Sequence, residues 1–448
     1  MGVLKYIVFF GTFFFGVPFG FFMAQRSRLA ERIVFFIMMF FSCRLYETIN
    51  FVSREHYRGT AKGFEITLVD LATITIFLLI ISRRREQKLQ LIPPGSIIFF
   101  FYFIFSAISM INAAEVLYSF FELWKMVRMY FFFWVIYNYL SDFERFDDFF
   151  RNAAFIMIYI FFFVLNQKYR EGLWQCRGPF PHQNSLVMYT IIFSSMFFAR
   201  FLNKDDPPRV FLFYITIFGM CAICIVSTLS RAGMACFAIS SMIVLGLSFL
   251  SGINAKKIIV TIMIIMGGIG VIAKSYDSVM SRIESAPESS KNTRIALAIS
   301  ALNMANDKTI GVGLNNWGIK VNPPYPYSNH IFDGPLDDDY SMGIVETCYL
   351  MIAAETGWYN LAVFLIYIFF YYFKNIVNYF KYRKHQFQFV AIGLAGGLTA
   401  IYLESTLEWV LKQTNNFYQL MMVFALIAAM SRLRKSKTWK EDNEEYLT

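Results

Sequence analysis

The run IIVTIMIIMGGIGVIA (258–273) breaks abruptly into KSYDSVMSRIESAPESSKNTR (274–294). Ahead of that break the chain is almost continuous apolar, Phe-rich sequence. Beyond it, roughly seventy polar residues, Ser275 to Val345, interrupt two apolar spans. Hydrocarbon accepts a helix, whose backbone groups pair internally, but not irregular backbone. The break therefore decides the fold. Helices cross a bilayer, and the polar insert sits on one of its faces.

The composition agrees. Of 448 residues, 57% are hydrophobic and 19% aromatic, with 53 Phe and a mean hydropathy of +0.48. Soluble domains are about 45–50% apolar and do not string such runs together. The expected fold is all-α, a polytopic transmembrane helical bundle of about 12–13 spans with a large outer-face loop carrying short helices. The runs fall at 4–22, 31–49, 64–82, 96–112, 115–139, 149–166, 185–201, 210–227, 232–251, 257–274, 346–372, 387–404 and 416–431. The expected division is an N-terminal bundle (1–274), an outer loop (275–345), C-terminal helices (346–431) and a cytoplasmic tail (432–448).

The net charge is +10. Lys and Arg concentrate in the loops 25–32, 83–88, 203–209, 254–257 and 374–386 and in the tail 432–440, which the positive-inside bias assigns to the cytoplasm. No basic run is long enough for a polybasic arm, so no nucleic-acid partner is expected. The loops 51–63, 167–184, 228–231, 275–345 and 405–415 then lie outside. They too hold basic residues, notably Arg54, Arg58, Arg177, Arg231, Arg282 and Arg294, which topology does not explain. Cys221 and Cys224 form a CxxC within FGMCAICIVS, with no second pair or histidine near in sequence, and read as small helix residues rather than a zinc or redox pair. The run 4–22 reads as a first span, too long for a cleavable leader.

Four places carry candidate chemistry. In CRGPFPHQNSLVMY (176–189), prolines stop any helix before a new one starts near Ser185. Arg177, His182 and Asn184 then stand beside a helix N-terminus, an anion-binding arrangement or a proline-capped interfacial anchor. In STLSRAGM (227–234), Ser230 and Arg231 break an apolar stretch. An arginine at membrane depth costs several kcal/mol unless paired or solvated, or it snorkels from a helix end. Arg294 opens an amphipathic helix expected at the interface, before a turn with Gly311, Gly313 and Asn315. Glu346 stands where the insert re-enters the membrane, a general base if burial raises its pKa or a carboxylate favoured by a helix dipole. Glu355, deeper in the same run, reads as a structural partner within the bundle. His330 with Asp333, Asp337, Asp338 and Asp339 reads as a solvated loop rather than a cation site, and no metal is expected. Glu404 and Glu408 are candidates to pair with an arginine.

Taken in order, these segments resemble the O-antigen ligase and O-antigen polymerase superfamily of bacterial membrane glycosyltransferases. Arg177-Gly178-Pro179-Phe180 with His182 and Asn184 is similar to its Arg…Gly-x-Phe…Asn element, and Ser230-Arg231-Ala232-Gly233 to its Ser-Arg element. Arg294 followed by Gly311-Val312-Gly313-Leu314 resembles its loop arginine and glycine turn. Tyr349-Leu350 with Ala354-Glu355-Thr356-Gly357 resembles its Tyr-Leu…Ala-Glu-Thr-Gly helix. Where the family usually carries a histidine, this chain has Glu346-Thr347.

The resemblance implies a GT-C-like, metal-independent and cofactor-free enzyme of the bacterial inner (cytoplasmic) membrane with its active site on the periplasmic face. Its donor would be an undecaprenyl-pyrophosphate-linked glycan, and its acceptor a glycan or lipid hydroxyl. Arg177, Arg231 and Arg294 would neutralise the pyrophosphate. Glu346, or His330 from the loop, would take the acceptor proton. His182, Asn184, Ser230, Asn315 and Glu404 would support them. Ligase and repeat-unit polymerase differ only in acceptor. A membrane transporter and a non-catalytic scaffold of envelope glycan assembly are the rival readings; a transporter predicts ionisable residues within spans.

Overall fold

The structure is a computed structural model describing residues 2–44, 48–84, 89–284, 288–331, 343–383 and 385–434. Helix α1 (Leu4–Arg26) contains a π-helical turn and is followed by α2 (Arg28–Cys43). The strands β1 (Ile49–Ser53) and β2 (Gly63–Ile66) form an antiparallel pair, with Ile49 opposite Ile66. Then come α3 (Leu68–Ser82), α4 (Ser96–Ile108), α5 (Val116–Tyr139), α6 (Phe143–Tyr169), α7 (Gln183–Asn203), α8 (Pro208–Ser227), α9 (Arg231–Leu250) and α10 (Ala255–Glu284). The polar insert holds α11 (Glu288–Asp307) and the short α12 (Trp317–Lys320). The chain ends in α13 (Cys348–Lys381), α14 (Gln388–Glu404) and α15 (Thr414–Leu433).

Each of the thirteen apolar runs contains a helix, and the fold is an all-α polytopic bundle. Among the described residues, seven helices are long and apolar enough to cross a membrane: α1, α6, α7, α8, α9, α13 and α15. Several boundaries differ from the sequence expectation: the run 64–82 opens in strand β2 and becomes helical only at Leu68, and the run 346–372 continues as helix to Lys381. The run 31–49 stops being helical at Cys43, and Ile49 already belongs to the strand pair. The run 257–274 continues as helix to Glu284, because SYDSVMSRIE keeps apolar residues at 276, 279, 280 and 283, a helical spacing.

Local signals explain the helix starts. Thr67 and Asp70 form a capping box ahead of α3, and Pro207-Pro208 opens α8. The chain divides into two compact units, one of residues 1–141, 289–371 and 405–429, the other of residues 142–288, 372–404 and 430–448. In the second unit α7 is buried along almost its whole length, and α14 meets it closely. A Cβ on Gly393 would lie 2.5 Å from the Cα of Met196. Cys221 and Cys224 are free thiols buried in α8.

Candidate functional site

In the first unit, α11 carries Leu297, Ala301 and Met304 on one buried face. They pack with Val312, Trp317, Val321 and Tyr327 from the insert, and with Val345, Met351 and Ala354 around the start of α13. The amphipathic helix expected at the interface therefore packs one face into a protein core, while Ile295, Ile299 and Leu302 stay exposed. The Trp317 indole N–H donates to the Gly343 carbonyl at 3.1 Å and ties the insert to its own exit.

The glycine turn and the Ala-Glu-Thr-Gly stretch lock into each other. Gly357 has φ 84° and ψ 163° inside α13, which breaks the helical ladder there. The carbonyls of Ala354 and Glu355 instead accept from the amides of Val312 (2.9 Å) and Gly313 (3.0 Å). A Cβ on Gly311 would lie 2.4 Å from the Glu355 carbonyl, and one on Gly357 2.2 Å from the Thr309 oxygen. Both positions need glycine for approach as well as for positive φ.

This frame brings Arg294 to Glu346. The Arg294 Nε pairs with the Glu346 carboxylate, and its Nη2 lies 3.5 Å from Glu408 Oε1. The Arg294 side chain is 47% exposed, Glu346 33% and Glu408 8%. The Cys348 amide donates to the Ser405 carbonyl at 3.1 Å, which holds the Glu408 segment beside the start of α13. Burial pushes the Glu346 carboxyl above its ordinary range, and the Arg294 guanidinium opposes that rise without cancelling it. A half-exposed ion pair adds about 0–1 kcal/mol to stability. Each large apolar side chain buried in the core beneath contributes about 1.5–3 kcal/mol. The core positions the pair, so the pair is left available for chemistry.

Beneath this surface lies a buried ionic network that the sequence reading missed. Glu122, Lys125 and Arg128 recur at three-residue spacing along α5, and all are buried. Lys125 Nζ is 2.6 Å from Glu122 Oε2. Lys412 Nζ is 2.5 Å from Glu355 Oε2 and 4.0 Å from Glu122 Oε1. Arg128 is 2.8 Å from Asp70 Oδ2 and donates to the Tyr418 hydroxyl at 2.8 Å. Three charges at i, i+3 and i+6 within an apolar run were the available signal. Glu355 takes the structural role expected of it.

Asn315 is fully buried at φ 54°. Its amide oxygen accepts from the Thr60 and Ala61 amides, and its amide nitrogen donates to the carbonyls of Ala61 and Tyr118 at 2.8 Å each. Its donors are all used, so it clamps the insert to the loop after β1 rather than facing a ligand. His330 is exposed and within 3.0 Å of the Ala296 carbonyl, on the helix that carries Arg294. Asp333, Asp337, Asp338 and Asp339 lie outside the described residues, as do 85–88, the tail beyond 434 and the side chain of Arg282.

In the second unit, Arg177 and Arg231 lie on two loops joined directly. The Cys176 amide donates to the Ser227 carbonyl at 3.0 Å. Gln167 clamps the first loop, accepting from the Arg177 and Gly178 amides at 3.1 and 2.8 Å. Both arginine side chains are exposed. His182 caps α7 by accepting from the Asn184 amide at 3.3 Å, and Asn184 is buried. Ser230 caps α9 by accepting from the Gly233 amide, which makes Arg231 the first residue of that helix. Glu404 is buried at the end of α14, near Cys236 of α9.

A comparison with curated proteins finds no match. Residues 216–365 match the sequence model of the O-antigen ligase family. The match takes in Ser230-Arg231, Arg294, the glycine turn, Glu346 and the Gly357 break. It supports a membrane glycosyltransferase of ligase or polymerase type, acting on a lipid-linked glycan and an acceptor. On this match, residues 216–365 carry an O-antigen ligase domain, which supports a place in the ligase and polymerase superfamily.

Proposed function

We propose that the protein transfers a glycan from undecaprenyl pyrophosphate to an acceptor hydroxyl on the outer face of the bacterial inner membrane. The observation that carries the reading is the half-exposed pair of Arg294 and Glu346. The reaction proposed is an inverting displacement. The acceptor oxygen attacks the anomeric carbon, the bond to the pyrophosphate oxygen breaks, and undecaprenyl pyrophosphate leaves. Glu346 takes the hydroxyl proton, helped by a carboxyl raised by burial. An arginine fork matches phosphate oxygens and neutralises the charge that develops on the leaving group. In this reading no metal is required.

Arg294 begins the cycle held by two carboxylates, Glu346 and Glu408. A pyrophosphate competes for the same guanidinium. When Arg294 turns to it, Glu346 loses its cationic partner and becomes the stronger base. Arg177 and Arg231 are assigned to donor phosphates on their chemistry alone. The transporter alternative needs ionisable residues facing a pathway, whereas Glu122, Lys125 and Arg128 of α5 are buried against partners.

The test is glycan attachment in cells carrying Arg294→Ala, with membrane insertion verified. The proposal expects loss of product. Unchanged product supports the scaffold reading.

A further inference from the structure

In the second unit, α9, the last three turns of α13 and α14 enclose a groove of about 490 Å³. Its floor is Ala395 and Thr399, one helical turn apart on α14. Small residues there leave room, while the same helix meets α9 at Gly396, where a Cβ would lie 2.7 Å from the Ser240 oxygen. The walls are Ile243, Leu247, Tyr372 and Ile376. The hydroxyls facing the space are already engaged: Tyr372 with Thr399 at 2.9 Å, and Tyr379 with Ser251 at 3.2 Å. What remains is apolar wall.

The groove has one polar end. Arg383 and Gln388 line it there, between the exposed apolar side chains of Leu250 and Phe380. Gln388 donates to the Tyr379 carbonyl at 3.3 Å. Among the described residues no carboxylate pairs with Arg383, and Lys381 is exposed one turn edge away. From Gln388 to Thr399 a helix advances about 16 Å. One leaflet of bilayer hydrocarbon is about 15 Å thick. The polar end belongs to the Lys- and Arg-rich loop 374–386, which the charge bias assigns to the cytoplasm.

We propose that this groove is a binding site for one anionic phospholipid of the membrane, with an acyl chain between α9, α13 and α14 and the phosphate on Arg383. The groove opens to the surroundings of the spans, and an apolar wall there is covered more favourably by apolar matter than by water. Lipid chains are the apolar matter surrounding these spans. A guanidinium at the leaflet boundary with no carboxylate partner among the described residues selects a negative headgroup over a zwitterionic one. The leaflet-long groove and the cation at its mouth together fit a membrane lipid rather than a free phosphate.

The test uses the full chain, purified in detergent and stripped of lipid. Dioleoyl phosphatidylglycerol, dioleoyl phosphatidylcholine and glycerol 3-phosphate are added separately, and bound ligand is counted by native mass spectrometry. The proposal expects one phosphatidylglycerol retained in preference to phosphatidylcholine, and no glycerol 3-phosphate. Arg383→Gln weakens phosphatidylglycerol retention roughly fivefold, and Ala395→Phe abolishes it by filling the floor. If Ala395→Phe does not insert, Thr399→Leu provides the same readout. Equal retention of the two lipids, glycerol 3-phosphate binding, or groove-filling variants that keep the lipid would each overturn the proposal.

Discussion

Arg294, near the start of α11, and Glu346, two residues ahead of α13, form an ion pair at the edge of one small apolar core. Glu408 lies 3.5 Å from Nη2 of the same guanidinium. A cation shared by two carboxylates and still half exposed is poised to exchange one anion for another.

Replacing Arg294 tests whether its fork matters. Arg294→Ala should lower transfer about 10²–10³-fold, the usual loss for one preorganised charge-stabilising donor. Arg294→Lys keeps the charge but not the two-pronged geometry, and should fall between Ala and wild type. The measurement is product formed by membranes containing equal amounts of each variant.

The acid side of the rate–pH profile should report Glu346. A free glutamate titrates near about 4.3. Burial raises Glu346, so a reaction that needs its carboxylate fades as pH falls through a value above that. Arg294 is the influence that lowers it. In Arg294→Gln the residual activity should therefore lose its acid limb at still higher pH, and in Glu346→Gln that limb should vanish. Rate measured from pH 4 to 8 on each variant checks the sign.

The helical bundle was legible because a long apolar run has few alternatives to a membrane helix, although only seven of the described helices are long and apolar enough to span. The elements around Arg231, Arg294 and Gly357 were legible as family resemblance. The meeting of Arg294 with Glu346 was not, since it depends on Leu297, Trp317 and Met351 folding together across a long insert. Lys412 was passed over as a loop residue, although its charge answers Glu355 and Glu122 in the interior. Asn315 read as a supporting polar group, because sequence does not reveal that every donor is already used.

The buried pair of Lys412 and Glu355 should show the asymmetry of charges in low dielectric. Lys412→Met alone leaves carboxylates uncompensated and should cost about 3–5 kcal/mol. Combining it with Glu355→Leu should recover most of that loss. Unfolding of the purified protein in detergent, followed by circular dichroism, gives the comparison.

Gly357→Ala should destabilise by at least about 1–3 kcal/mol, since φ 84° disfavours any side chain and the new Cβ would strike the Thr309 oxygen. Gly246→Ala in α9, where nothing lies within 4 Å of the new Cβ, should be neutral or stabilising. The same unfolding measurement on the two variants distinguishes them.

The most direct test uses protein reconstituted in nanodiscs with an undecaprenyl-pyrophosphate-linked oligosaccharide and a hydroxyl acceptor. Released undecaprenyl pyrophosphate and glycosylated acceptor are measured together. The account predicts equal amounts of both from wild type, and near-complete loss of both in Arg294→Ala and Glu346→Gln. Wild-type rates from either correctly folded variant would contradict it.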